Sequence, residues 1–544
     1  MQKRDTSNAE IAYYLGIAEE GLGHTRDAKV AYEVAYRQAE FRGRAAARIA
    51  QLQALQGDLS SSRAFLKDAV EAAPLDMRSM EQLEAATRAL GDTTMADQIA
   101  RKSLAMDPMS DFLKEETRSP DLPHLAADPY RVLRVAAEYM NLGLYQRALS
   151  VLSRNYPEVP ADQSEPDSVL PQNHPLVLYY VAYCKAKLGE DATRNWQAAN
   201  RLSSALVFPS SPTDQTVLQH ALHANSGDGT AQYLLGTLLF SKGMYDAGIE
   251  HWTDAKLLSQ NMPVLDANLG KAWLHIKNDA QRALESFEQG AKNDPTNADI
   301  YAGLDTAMSL TGVSAKDRAA ALARYPSADD ASSTMPASLV YQLALTRAEA
   351  GQYDEALALF KERFFPSEEG GVSATQVLFE IKLMRAEAEA ASGKCADAES
   401  FLAVDHPGLT LNGAVSQAYV RMAAIAKRCL RQQESDQFLQ KAAAGKNIAD
   451  APWAARAQQL LGTYDAAQLQ EKLATSLADA RYVADPSSIT GWWWLNIGAI
   501  ELALNHKKLA REAFNKSLLL PDSMMSHHLV RAAVADSEAS RTAH

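Results

Sequence analysis

The chain has 544 residues, of which 47% are hydrophobic and 22% charged, and its formal net charge is −13. That length exceeds one small core and predicts several domains or one long repeat array. The acidic balance argues against a nucleic-acid-binding surface, which needs a basic stripe, and argues weakly against binding to an anionic membrane.

A pattern of small, aromatic and proline residues repeats along the chain and is its most informative feature. In the first copy Gly16 is followed by Ala28 and Tyr32, and in the last copy Gly498 is followed by Phe514. The well-matched copies occupy residues 11–36, 135–152, 232–255, 265–295, 340–362 and 490–521. Weaker copies occupy residues 49–74, 83–108 and 386–407.

Each type of residue in the pattern has a physical role. A small residue in one helix and an alanine in the next allow the two helices to cross closely, while glycine ends the first helix and proline ends the second. The pattern resembles the tetratricopeptide repeat, a helix–turn–helix unit of about 34 residues. The resemblance covers most of the chain and implies an all-α fold, a right-handed α-solenoid of tetratricopeptide-like helix pairs in which each pair covers the next.

Proline-rich segments divide the predicted repeats into sections. Residues 1–118 are predicted to form N-terminal repeats, 119–128 a Pro-rich junction, 129–325 central repeats with a Pro-rich surface loop at 155–175, 326–336 a linker, and 337–544 C-terminal repeats and a tail.

The order of several segments is more specific than the repeat itself. "DPYRVLRVAAEYMNLGLYQRAL", "HPLVLYYVAYCKAKLG", "ALVFPSS", "IYAGLDTAMSLTG" and "RFFPSEEGG" follow one another in the sequence. This succession resembles the helical half of a family of large bacterial proteins that also carry an N-terminal, uncharacterised β-sandwich region related to galactose mutarotase. The resemblance implies carbohydrate-related work for that front half, which is absent here. We therefore expect a fragment of a longer protein or a relative that lost the front half.

Four tyrosines stand three residues before the small residue of a first helix: Tyr13, Tyr179, Tyr233 and Tyr341. In the tetratricopeptide repeat this position faces the concave groove where ligands usually lie. An aromatic ladder there would grip an extended peptide or stack on sugar rings. Packing between repeats is an equally good explanation, because partly exposed aromatics serve either role.

In "GWWWLNIG", Trp494 occupies the usual core position and Trp492 is expected to face the same groove. Tryptophan is common at binding surfaces, but helix packing is the favoured explanation of these residues. The first-helix positions that would carry two lysines for a peptide C-terminal carboxylate hold tyrosine, leucine or alanine instead. A cochaperone for chaperone tails is therefore not expected.

The segment "FKERFFPSEEGGV" raises the question of whether Glu368 and Glu369 are catalytic acids, recognition residues or part of a connection. Adjacent carboxylates rarely span a glycosidic bond, although either could pair with a distant acid. A proline that stops one helix, two glycines and an acid that caps the next helix favour a connection. Phe364 and Phe365 are expected to tuck this loop against the core, and Arg363 belongs to the same candidate site.

Other chemistry is not indicated. Cys184, Cys395 and Cys429 are far apart and odd in number, so we expect small core residues and no disulfide framework or zinc site. His527 and His528 are neighbours on a predicted helix and would point about 100° apart, which makes a poor metal pair. No common catalytic or cofactor motif appears, so no catalytic residue, metal or cofactor is predicted.

The sequence therefore predicts a non-catalytic scaffold that binds a protein partner or the missing N-terminal domain. The alternatives are a carbohydrate-binding or carbohydrate-active helical protein that uses acids of the 366–371 loop, and a regulator that uses the repeats as a sensor. No signal-peptide pattern and no run of about 18 apolar residues is seen, so we expect a cytoplasmic protein without a membrane span.

Overall fold

The computed structural model contains helices and connecting segments throughout the part it describes. It describes residues 8–160, 162, 169–258, 262–365, 372–403, 410, 411, 414–446, 449–463, 471, 474, 475, 478, 491–504 and 506–519. Within these residues no strand is present. None of the helices is both long and apolar enough to cross a membrane, among those that the structure describes.

The chain divides into two compact units, unit 1 from Met1 to Gln260 and unit 2 from Asn261 to His544. The helices of unit 1 are α1 (Ala9–Gly21), α2 (Thr25–Tyr36), α3 (Ala39–Leu55), α4 (Leu59–Ala72), α5 (Met77–Ala89), α6 (Thr93–Met106), α7 (Asp111–Glu116), α8 (Leu122–Ala126), α9 (Pro129–Asn141), α10 (Tyr145–Leu152), α11 (Pro175–Lys187), α12 (Thr193–Arg201), α13 (Pro212–Ala224), α14 (Gly229–Ser241) and α15 (Tyr245–Leu258), with a 3-10 helix at Pro171–Asn173.

Unit 2 continues the same arrangement of successive helices. Its helices are α16 (Pro263–His275), α17 (Ala280–Asn293), α18 (Ala298–Leu310), α19 (Ala315–Leu322), α20 (Ala337–Glu349), α21 (Tyr353–Ala358), α22 (Ala374–Ala391), α23 (Cys395–Leu402), α24 (Val415–Arg428), α25 (Gln432–Ala443), α26 (Ala451–Leu461), α27 (Gly491–Ala503) and α28 (Lys507–Leu519). In both units each helix packs mainly on its neighbours in sequence. The predicted all-α solenoid of tetratricopeptide-like helix pairs is confirmed.

Close helix crossings are built from a glycine in the first helix and an aromatic ring in the second. A methyl group added to Gly270 would lie 2.5 Å from the ring of Phe287, and one added to Gly498 would lie 2.3 Å from the ring of Phe514. The same arrangement joins Gly16 to Tyr32 and Gly236 to Trp252. The small residue of the pattern is therefore required by the ring that crosses it.

The predicted section boundaries fall in connections between helices. Residues 119–128 contain the short helix α8, and residues 326–336 connect α19 to α20 without a helix. The division into compact units lies elsewhere, between α15 and α16. Part of the predicted surface loop 155–175 lies outside the described residues.

A buried arginine joins three successive helices of unit 2. Arg318 of α19 is only 2% exposed, and its Nη1 donates to Oδ1 of Asp305 in α18 at 2.7 Å. Its Nη2 donates to Oε2 of Glu349 at the end of α20. Gln342 of α20 donates to the second oxygen of Asp305 at 2.8 Å. The Arg318 guanidinium is thus paired with two carboxylates. An unpaired charge buried in the same place would destabilise the fold.

A second buried ionic cluster lies in unit 1, between α5 and α7. Arg88 pairs with Glu84 at 2.6 Å and with Glu116 at 2.9 Å. Glu116 also pairs with Arg147 at 2.8 Å and accepts a hydrogen bond from the Tyr139 hydroxyl at 2.5 Å. Oε2 of Glu84 is buried without a hydrogen-bond partner among the described residues. The two carboxylates therefore share one arginine, and Glu84 is the less well satisfied of them.

This arrangement predicts a pH-dependent stability for unit 1. Burial, and then the neighbouring Glu116 carboxylate, raise the pKa of Glu84 from 4.5 to about 8. The Glu84 carboxyl group therefore binds its proton more tightly in the folded chain than in the unfolded chain. Protonation of Glu84 stabilises the fold fully below pH 4.5, and this stabilisation is lost as the pH rises to 8. We expect Glu84→Gln to raise the free energy of unfolding above pH 8 by more than about 1 kcal/mol and to change it little near pH 4.5.

Urea unfolding monitored by circular dichroism at both pH values measures this effect. Glu71→Gln on the exposed side of α4 is the control and should leave the pH dependence unchanged. Equal pH dependence in the Glu84→Gln variant and the parent would show that the proton is not held at this carboxylate.

The cysteine prediction is wrong for two of the three residues. Cys184 is buried and free, as expected of a small core residue. Cys395 and Cys429 instead form a disulfide, with their Cα atoms 5.5 Å apart. The two are 34 residues apart, which is about one tetratricopeptide repeat. Stacking of successive helix pairs brings them together although they form no short-range cysteine motif.

Candidate ligand-binding groove

A cavity of about 670 Å³ lies in unit 1, and we call it the unit 1 groove. It is lined by residues of α1, α3, α5, α9, α10, α11 and α13 and by residues 208 and 210–211 of the segment before α13. Because several consecutive repeats contribute to it, the groove is long enough for an extended ligand rather than a small compact one.

A chain of hydrogen bonds connects Arg48, Arg78 and Glu138, which line the unit 1 groove, through residues buried behind it. Arg48 donates to Gln51 at 3.1 Å, and Gln51 donates to Gln82 at 3.2 Å. Gln82 donates to Oε2 of Glu138 at 2.5 Å, and Arg78 donates from Nε to Oε1 of the same carboxylate at 2.8 Å. These bonds connect α3, α5 and α9 and hold the polar side chains of three repeats in fixed positions.

The segment before α13 closes one end of the groove. The backbone N–H of Phe208 donates to the Tyr130 hydroxyl at 2.7 Å, which ties this segment to α9. Asp214 accepts a hydrogen bond from the Tyr180 hydroxyl at 2.6 Å. It also accepts hydrogen bonds from the backbone N–H groups of Ser210 and Ser211, each at 2.8 Å. Burial, and then the Asp214 carboxylate, raise the pKa of Tyr180 well above its ordinary value, so this hydroxyl stays a donor.

The carboxylates of the groove already accept hydrogen bonds from the protein. Asp214 and Glu138 have the donors described above. Glu20 accepts from the Tyr32 hydroxyl at 2.8 Å and pairs with Arg48 at 3.0 Å. Each acid therefore holds at least two donors, and none of them leaves an isolated negative charge facing the groove.

Hydrogen-bond donors, in contrast, remain available. Arg134 of α9 is exposed and lines the groove without an ion pair or hydrogen bond to any described residue. The terminal Nη groups of Arg78 donate to no described acceptor, and that side chain is 53% exposed. The side-chain nitrogen of Asn141 is buried and lacks a partner in the described part of the chain. The groove thus offers donors and positive charge to a ligand that supplies acceptors.

Most of the predicted groove tyrosines are buried. Tyr179 is 0% exposed, and its hydroxyl donates to Asp228 at the start of α14 at 2.7 Å. Tyr233 and Tyr341 are 5% and 4% exposed, and Tyr341 stacks on Phe365. Tyr13 is partly exposed and contacts the rings of Tyr14, Tyr32 and Phe41. These positions match the packing alternative, and a role in binding stays a prediction.

The other predicted residues are divided between the described and undescribed parts. Glu368, Glu369, His527, His528 and the side chain of Trp492 lie outside the described residues.

Arg363 is described, and its Nη2 donates to the backbone carbonyl of Ala328 at 3.0 Å and to that of Asp330. It therefore fastens the 326–336 linker. Phe365 packs on Tyr341 and Phe360 as expected. The prediction for Phe364 is wrong, since 86% of it is exposed.

Sequence reasoning missed the residues that line the unit 1 groove. Tyr130, Arg134 and Glu138 follow one another at four-residue intervals and so share one side of α9. Two charges and a tyrosine at this spacing were a detectable signal of a polar, partly exposed helix face. A pattern that compares one position across repeats does not detect residues that share one side of a single helix.

Only one possible metal-ligand group occurs within the described part of the chain. It comprises Glu19, His24 and Asp27 at the turn between α1 and α2. Nδ1 of His24 is hydrogen-bonded to Glu19 at 2.7 Å, and the His24 and Asp27 side chains are exposed. A structural turn explains this group without an ion.

Comparison with known proteins gives no family assignment. No family model matches the chain, and no curated protein matches it.

Similar solved structures include the Naa15/Naa10 complex bound to HypK-THB, at 14% identity over 100% of this chain and 87% of that chain, with a TM-score of 0.23. They also include MamA, at 17% identity over 39% of this chain and 95% of that chain, with a TM-score of 0.17. PilW, a type IV pilus biogenesis factor, is 12% identical over 50% of this chain and 93% of that chain, with a TM-score of 0.24. These TM-scores are too low to support an assignment of the fold, which is based on the helix pairs of this chain.

Proposed function

We propose that this chain is a non-catalytic tetratricopeptide-like scaffold whose unit 1 groove binds an extended, carboxylate-bearing segment of a protein partner. The observation that carries this proposal is the imbalance of hydrogen-bonding groups in the groove. Its acids all accept hydrogen bonds from the protein, whereas the exposed Arg134 and the two Nη groups of Arg78 keep unused donors. A carboxylate supplies acceptors and negative charge without adding donors of its own.

Apolar surface beside these donors favours a peptide over a free small acid. Phe208 is 58% exposed at the groove, and Tyr145 and Tyr183 also line it. An extended peptide can place a carboxylate on Arg134 and an apolar side chain against these rings, and aromatic and arginine side chains are the usual sources of binding energy at such surfaces. The net charge of −13 would repel an acidic partner at long range, so recognition would depend on short-range contacts.

A carbohydrate ligand is less well matched to this groove. Sugar hydroxyls donate as well as accept, and the carboxylates that would accept from them are already occupied. The link to a carbohydrate-related bacterial parent protein remains a prediction from the sequence resemblance. A cytoplasmic location and use of the 366–371 loop remain predictions of the same kind.

Arg134→Ala is expected to weaken binding of such a peptide about tenfold or more, because a hydrogen bond to a charged group contributes roughly 1.5–3 kcal/mol. The substitution should not disturb the fold, because Arg134 is exposed and has no ion pair or hydrogen bond to lose among the residues that the structure describes. The probe is a peptide selected from a random displayed library on the full chain, with its affinity measured by fluorescence anisotropy. Replacing its Asp or Glu residues by Asn or Gln should weaken binding to a similar extent.

Arg194→Ala is the matched control, since Arg194 is an exposed arginine of α12 that does not line the groove. It should leave the affinity unchanged. Selection of peptides without acidic residues, or equal binding by the Arg134→Ala variant and the parent, would rule the proposal out.

A further inference from the structure

The disulfide of unit 2 joins the ends of two helices that belong to successive repeats. Cys395 is the first residue of α23, and Cys429 directly follows the last residue of α24. Of the eight residues of α23, only Ala398 and Leu402 are buried. Arg431 also pairs with Glu399 of α23 at 3.4 Å. Since α23 buries so little of its own surface, the covalent link contributes much of what holds it against α24.

Neither cysteine of the pair is fully buried. Cys395 and Cys429 are half-buried, and each is next to exposed residues of its own turn. Structural disulfides of compact domains are more often enclosed, whereas accessible ones are open to attack by an external thiolate. Cys184, by comparison, is 0% exposed in α11.

The charges around the pair favour thiol–disulfide exchange. Lys394 directly precedes Cys395, and Arg428 directly precedes Cys429; neither has an ion pair with a described residue. The acids nearby, Glu399 and Glu434, are both paired with Arg431, and Asp397 lies in the first turn of α23. Cys395 also lies at a helix N-terminus, where unsatisfied N–H groups stabilise a negative sulfur. The thiolate is the leaving and attacking species in exchange, and a helix N-terminus is a position that favours it.

Helix α23 forms part of the wall of a cavity in unit 2. A cavity of about 610 Å³ lies beside α22 and α23, and Asp397, Ser400 and Phe401 of α23 form part of its lining. Leu378 and Phe379 of α22 form another part. One wall of this cavity therefore belongs to the helix that the disulfide joins to α24.

We propose that Cys395 and Cys429 form a reversible redox site that fastens α23 when oxidised and releases it when reduced. A dithiol reductant attacks one sulfur, the S–S bond breaks, and a mixed disulfide forms with one protein sulfur. The second thiol of the reductant then displaces that sulfur. Two electrons and two protons pass to the protein, which gains two thiols, and the reductant becomes a disulfide.

The test treats the folded full-length chain with increasing dithiothreitol, alkylates free thiols and identifies them by mass spectrometry. Cys395 and Cys429 should become labelled together at reductant concentrations that leave far-UV circular dichroism unchanged. Cys184, the internal control, should stay unlabelled until the chain is unfolded. Oxidised glutathione should restore the disulfide.

Hydrogen exchange of the same samples reports the release of α23. Amides of residues 395–402 should exchange about tenfold faster or more after reduction, while those of α14 in unit 1 should not change. The Cys395→Ser/Cys429→Ser variant should show the faster exchange in both conditions. Reduction of the pair only after unfolding, thiols that stay free in the presence of oxidised glutathione, or unchanged exchange after reduction would each overturn the proposal.

Discussion

Replacing Arg318 by leucine is expected to destabilise unit 2 by about 3–5 kcal/mol, the largest effect of any single substitution considered for this chain. The arginine is 2% exposed and Asp305 is 1% exposed, so neither charge can turn to water in the folded state. Leucine leaves Asp305 with one neutral donor, Gln342, and leaves Glu349 without its interior partner. Urea unfolding gives the free energy, and hydrogen exchange of α18, α19 and α20 shows where the structure opens.

Arg324→Leu is the matched control for this experiment. Arg324 pairs with Glu288 at 3.4 Å, but the two side chains are 46% and 36% exposed. A pair of this kind contributes less than about 1 kcal/mol. An equally small effect at Arg318 would mean that its carboxylate partners reach water or take up protons when the arginine is removed.

The importance of Arg318 was not visible in the sequence, because its partners belong to different helices. Asp305 lies 13 residues before it and Glu349 lies 31 residues after it. In one dimension each is an ordinary charged residue of an amphipathic helix. Only the packing of α18, α19 and α20 decides which of the many charged side chains become enclosed.

The helix pairs, in contrast, could be predicted because their signals are local. In residues 265–295 the spacing of Gly270, Phe287 and Pro295 predicted two helices and a turn, and the structure has α16 and α17 there. Such patterns depend on helical periodicity and on residues that end helices, both of which act over a few residues.

The unit 1 groove shows where local signals stop being sufficient. Gln82 and Glu138 are 56 residues apart, and Tyr130 and Phe208 are 78 residues apart, yet each pair is hydrogen-bonded. The rule used to choose groove tyrosines fixes a position in the repeat but not its exposure. At Tyr179 the next repeat supplies Asp228, which accepts a hydrogen bond from the tyrosine hydroxyl, and the ring is buried.

The disulfide, too, joins residues that are far apart in the sequence. Short cysteine motifs do not detect such a pair, because the relevant distance in a repeat protein is the length of one repeat. Cys395 and Cys429, 34 residues apart, occupy helix ends that the stacking of repeats brings within 5.5 Å between Cα atoms.

The second large effect is expected at Gly303, because it and Gly270 enclose the Phe287 ring. A methyl group on Gly303 would lie 2.3 Å from Cζ of Phe287, and one on Gly270 would lie 2.5 Å from Cε1. Gly303 belongs to α18 and Gly270 to α16, so the ring of α17 has no room to move away from either. Gly303→Ala is therefore expected to lower the free energy of unfolding by about 2–3 kcal/mol, against the usual stabilisation of a helix by alanine.

A double-mutant cycle separates this clash from other effects of the substitution. Phe287→Leu alone removes part of a fully buried ring and should cost about 1–2 kcal/mol. Because leucine lacks the atoms that the new methyl would meet, Gly303→Ala should cost much less in the Phe287→Leu background than in the parent. Additive costs in the cycle would place the strain elsewhere in α18. As a positional control, Gly21→Ala at the end of α1 has no atom within 4 Å of the added methyl and should be neutral or mildly stabilising.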